Sequence, residues 1–104
     1  MSPETGFSLP DSANYVLEAR LIDLVLNTVA SANTRRNYRI GLKRFFEWVR
    51  ASRSAPKLTN TLIGEYRAEL IHAGLSVATV KSRLVPVRRL AREMADKGLL
   101  DGPH

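Results

Sequence analysis

No cysteine occurs among the 104 residues, and the two histidines, His72 and His104, stand far apart. Disulfides and cysteine-based zinc sites are thereby excluded, and the expectation is a chain without metal or cofactor. Long apolar runs are also missing: none approaches the roughly 18 to 20 residues that a membrane-crossing helix requires. The start, MSPETGFSLPDS, has acid where a secretory leader needs base. Both absences point to a cytoplasmic protein. There is no Gly-rich loop to cradle a phosphate, no paired carboxylates, and no Ser/His arrangement for nucleophilic attack, so an active site complete within the chain is not expected. Acids are scarce. Ten Asp and Glu face sixteen Lys and Arg, for a net charge of +6 and a pI near 10.3. Of the five prolines, Pro3, Pro10, Pro56 and Pro103 fall outside periodic stretches, and Pro86 alone falls inside one.

What is present is helical periodicity and unevenly placed base. Residues 1–30 carry four acids and one base, so −3, which leaves +9 for the remainder. Residues 1–12 have no periodicity and read as a flexible lead-in. A helical domain spans 13–100, and 101–104 form a tail. From 13 to about 29, with Asp11 or Ser12 as cap, Tyr15, Ala19, Ile22, Val25, Leu26 and Val29 share one face. Leu17, Leu21 and Leu24 widen this arc; they belong either to the core or to a surface that meets a partner.

Ser31 or Asn33 caps a second helix to about residue 52. Its core stripe is Tyr38, Leu42, Phe45, Phe46 and Val49, with Trp48 at the edge. Arg36, Arg39, Ile40, Lys43, Arg44, Glu47 and Arg50 face outward, with Asn37 at the border. Between residues 31 and 53 there are seven bases and one acid, more than a merely solvated face requires. After the connector 53–58, Thr59 or Asn60 caps a third helix with Leu62, Ile63, Tyr66, Leu70 and Ile71 inward, and Gly74 ends it. His72 suits the C-terminus of that helix as a favourable charge partner rather than a ligand.

The fourth helix, about 76–97, joins a buried stripe to a basic face. Val77, Val80, Leu84, Val87, Ala91, Met94 and Ala95 recur on the apolar side. Thr79, Lys81, Ser82, Pro86, Arg89 and Arg92 lie opposite, flanked by Arg83 and Arg88. Ser76 is its N-cap and Gly98 its stop. Proline inside a helix removes one hydrogen bond and costs roughly 3 kcal/mol. The stripe keeps its phase across Pro86, which favours a kink over a break. The sum is an all-α bundle of about four helices. Two basic helix faces bearing Thr34, Asn37, Thr79 and Ser82 suit duplex DNA, Arg and Lys for phosphates and the short polar groups for base edges.

The series S-x-x-T-x-x-x-Y-x-x-x-L-x-x-F-x-x-W, here Ser31, Thr34, Tyr38, Leu42, Phe45 and Trp48, then EYRAEL (65–70), then G-L-S-x-x-T-V (74–80), resembles the core-binding, SAM-like N-terminal domain of tyrosine recombinases, the phage-integrase family. The resemblance covers about residues 31–100. It implies a domain that clamps one face of a recombination site while a separate catalytic domain carries strand exchange, so Tyr15, Tyr38 and Tyr66 are not read as a nucleophile. This chain is expected to lack that catalytic half. In Cre-like members helices two and four enter the major groove. Carried over by position, contacts fall on Thr34, Arg36, Asn37, Ile40 and Lys43, and on Thr79, Ser82, Arg83 and Pro86, the proline ring facing DNA. Arg44, Lys81 and Arg89 join them from the outward faces. The resemblance also implies contact between the first helix, through Leu17, Leu21 and Leu24, and a neighbouring recombinase subunit. LSVATVKSRL (75–84) resembles as well the recognition helix of LuxR-type helix-turn-helix regulators, and a helical protein-interaction module is the remaining alternative. The helix before 75–84 is too long for the regulator, and the Ser31 to Trp48 block has no place in it.

Overall fold

The computed structural model describes residues 7–8, 15–52 and 57–96. Four helices form in chain order: α1 (Tyr15–Leu26), α2 (Ala32–Ser52), α3 (Asn60–His72) and α4 (Val77–Asp96). Each start that carries a short hydroxyl residue uses it. The Ser31 hydroxyl accepts from the Thr34 N–H at 3.3 Å, Thr59 from Leu62 at 3.1 Å, and Ser76 from Thr79 at 3.2 Å. Each cap satisfies one of the four amides a helix start leaves orphaned, about 1 kcal/mol apiece. At the end of α3, Gly74 takes φ 87°, and the N–H groups of Gly74 and Leu75 return to the carbonyls of Ile71 and Leu70. That is a Schellman closure. Leu75, packed on the core, supplies its apolar contact, and the chain re-enters helix at Ser76. The turn leaves α3 and α4 side by side.

The core lies between all four helices. Val25, Leu26, Leu42, Phe45, Phe46, Val49, Val87, Leu90 and Met94 are essentially inaccessible within it. α4 packs against each of the other three helices, as its central place in the sequence pattern suggests. An aromatic cluster pins α2 to α3, with the Tyr66 ring edge-on to Phe45 at 5.1 Å and against Trp48 at 5.0 Å. Such pairs add about 0.5 to 1.5 kcal/mol each beyond the area they bury.

The four-helix all-α bundle agrees with the periodicity; several placements do not. Within the stretch expected to be a featureless lead-in, β1 (Phe7–Ser8) pairs antiparallel with β2 (Lys57–Leu58), Phe7 opposite Leu58. Leu58, expected in a connector, is fully buried. Leu21 belongs to the core, which removes it from any partner surface and leaves Leu17 and Leu24 half-buried. Val77 and Ile71, expected inward, are 73% and 48% exposed, because none of the described elements covers the cleft where α3 meets α4. Leu90, placed on no apolar stripe, is buried. As the unbroken phase of the stripe suggests, α4 continues through Pro86 rather than breaking there. The suggested caps Asp11 and Ser12, the stop Gly98 and the tail 101–104 lie outside the described residues.

Candidate nucleic-acid interface

α2 and α4 converge on an open crevice of about 330 Å³ whose walls are Asn37, Ile40, Gly41 and Arg44 from α2 and Ala78, Thr79, Ser82 and Arg83 from α4. Spacings of three and four on each helix bring these side chains to facing edges. Six of them, Asn37, Ile40, Arg44, Thr79, Ser82 and Arg83, are among the contacts expected from the sequence. Beside the crevice, Arg36 and Lys43 are exposed on α2, and Thr34 is half-buried in its first turn. Arg83, on the crevice wall, is half-buried and near the Tyr66 phenol. Burial pushes that phenol above its ordinary pKa of 10.0, while the guanidiniums of Arg83 and Arg44 pull it back and Glu47 raises it. Asn37, Thr79 and Ser82 supply donors and acceptors, Arg44 and Arg83 supply charge, and Ile40, 45% exposed, supplies one aliphatic surface. Such a set can bond base edges and phosphates together.

Three expected contacts are placed elsewhere. Pro86 is among the most deeply buried residues, not on the outer surface. Its ring fills the space above Gly41, where a β-carbon would come within 2.8 Å of the proline Cγ. The two residues let α2 and α4 approach closely, with Gly41 on the crevice wall and Pro86 buried outside it. Pro86 also lacks the N–H that would bond the carbonyl of Ser82 four residues earlier, on the crevice wall. Arg89 is drawn along its own helix to Glu93, with Nε 3.4 Å from Oε2. Lys81 lines a different groove, on the α3 side.

Two features escaped sequence reasoning. Glu18 on α1 is buried and bonded to the guanidinium of Arg50, a residue counted among the outward bases of α2. A charge partner on another helix leaves no local signal. The Gly41–Pro86 contact left only a glycine inside an otherwise periodic helix, a signal that Gly64 shares without any such contact.

Residues 17–98 match the family model described as phage integrase, N-terminal SAM-like domain. The chain belongs to that family. The match takes in all of α2, α3 and α4 and most of α1, and so both walls of the crevice. It is the N-terminal, SAM-like part of a phage integrase or tyrosine recombinase that is matched, not the catalytic part. No curated protein and no solved structure matches the chain. Among the described residues of this integrase domain, no helix is long and apolar enough to cross a membrane, and no group of three or more His, Asp or Glu could hold a metal ion.

Proposed function

We propose that this integrase domain binds duplex DNA sequence-selectively as the core-binding part of a site-specific tyrosine recombinase, with α2 and α4 against the major groove. The observation that carries the reading is the crevice: two helices from the basic part of the chain meet at a cleft lined by amide, hydroxyl and guanidinium groups. A solvated basic surface needs no such convergence. Arg36, Arg44 and Lys43 are suited to phosphates. Arg83 is suited to the O6/N7 edge of guanine, Asn37 to adenine, and Ile40 to a thymine methyl. Strand exchange then falls to a catalytic domain, with neighbouring recombinase subunits as further partners. Leu17 and Leu24 on α1 are the part of the expected subunit surface that is not in the core.

Fluorescence anisotropy on a labelled duplex tests the reading. About five neutralised phosphates would give a slope of log K against log salt near −4 to −5. No binding to any duplex at about 50 mM salt would refute it.

A further inference from the structure

Four large apolar side chains stand exposed among the described residues: Ile40, Ile71, Val77 and Val85. Ile40 belongs to the crevice. The other three converge on a second groove, between α3 and α4, of about 520 Å³, floored by Leu75, Val80 and Leu84. Its rim carries Arg67 from α3 and Lys81 and Arg88 from α4, and no acid among the described residues lines it. None of these three bases is taken up by an ion pair among the described residues. Val77, Lys81, Val85 and Arg88 follow one another along a single face of α4, alternating aliphatic and cationic. The floor is held in place by the Schellman closure at Gly74 and the Ser76 cap.

We propose that this groove is a docking site for an acidic amphipathic helix of another protein. Apolar side chains at i, i+3 or i+4, and i+7 would enter the floor, and flanking carboxylates would meet Arg67, Lys81 and Arg88. Aliphatic side chains gathered in an open groove mark an interaction surface where a single exposed one would not. An aliphatic floor offers phosphates no donor, so DNA does not account for it. A second copy of the chain does not either: the large apolar side chains its described surface exposes are Ile40, set among bases, and this same groove. The N-terminal segment 1–12 has the acids Glu4 and Asp11, but Pro3, Gly6 and Pro10 unsuit it to a helix. The groove and the crevice share no residue, so the proposal stands or falls separately from the DNA reading.

The test is a titration of the nitrogen-15-labelled chain with a synthetic helical peptide carrying leucines at i, i+4 and i+7 and glutamates on both flanks. The expected shifts centre on Ile71, Leu75, Val77, Lys81, Val85 and Arg88. Lys81→Glu with Arg88→Glu should weaken binding by about tenfold or more. Val77→Asp, at a side chain already 73% exposed, should abolish it with the melting curve unchanged. Duplex DNA should not displace the peptide. Absence of binding, equal binding of a version with lysine for glutamate, shifts centred on Asn37 and Ser82, displacement by DNA, or unchanged binding by these variants would each overturn the proposal.

Discussion

Replacing Gly41 by alanine should destabilise the domain, although the same change at an open helical glycine stabilises. The added β-carbon would meet Pro86 Cγ at 2.8 Å, whereas carbon atoms rest at about 3.5 to 4.0 Å. The helices must therefore part by roughly 0.7 Å or more at that point, or the ring must shift within a filled core. Overpacking of this kind costs about 1 to 3 kcal/mol, offset by about 0.5 to 1 kcal/mol from the lost backbone freedom of glycine. The net expectation is a loss of up to about 2.5 kcal/mol. Gly64, exposed in α3 with nothing within 4 Å of its would-be β-carbon, is the internal control, and Gly64→Ala should stabilise. Pro86→Ala removes the clashing Cγ, so Gly41→Ala made in that background should turn neutral or stabilising. The coupling in this double-mutant cycle should be about 1 to 3 kcal/mol. Urea unfolding of the four proteins at constant m-value measures it. If Gly41→Ala stabilises as much as Gly64→Ala does, and the cycle closes with no coupling, the Gly41–Pro86 contact does not set the separation of α2 and α4.

Glu18→Ala should cost about 1.5 to 3 kcal/mol by removing the charge-assisted bond between Glu18 and Arg50, read by urea unfolding; a cost below about 1 kcal/mol would class the pair with exposed ones. Tyr66 holds its proton in the folded chain above the pH at which the unfolded chain releases it. Its contribution is therefore fully present below pH 10.0, and stability falls as pH rises from 10.0 through the raised folded value, a decline that Tyr66→Phe should lessen in unfolding measurements. On DNA, Arg83→Ala should relax preference at one base pair by roughly 1 to 3 kcal/mol, whereas Lys43→Ala should weaken all sequences alike and flatten the salt slope by about one unit. Even losses over all sites from Arg83→Ala would make it a phosphate contact.

Local chemistry was the legible part. Ser31, Thr59 and Ser76 stand where a short hydroxyl stops an orphan amide, and Gly74 where only a left-handed residue closes a helix, so the helices could be delimited from sequence. What a helical period cannot say is which neighbour covers a given angle. Val77 lies at the edge of α4's apolar arc, yet α3 leaves that edge uncovered. Pro86 lies outside the arc, yet α2 comes close enough there to bury it because residue 41 has no side chain. Leu90 also lies outside the arc and is fully buried. The partner of Glu18 is 32 residues away on another helix, beyond any local pattern. The crevice was legible in part because its residues carry polar chemistry at helical spacing. The groove between α3 and α4 was not, since its exposed aliphatics look like core in a sequence.

The most direct test of DNA recognition by α2 and α4 is a nitrogen-15 amide map of the chain titrated with duplex DNA at low salt. The largest shifts should fall on Asn37, Ile40, Arg44, Thr79, Ser82 and Arg83, with Arg67, Glu69 and Ile71 on α3 unmoved. Shifts centred on the α3 face, or spread evenly over every exposed base, would contradict it.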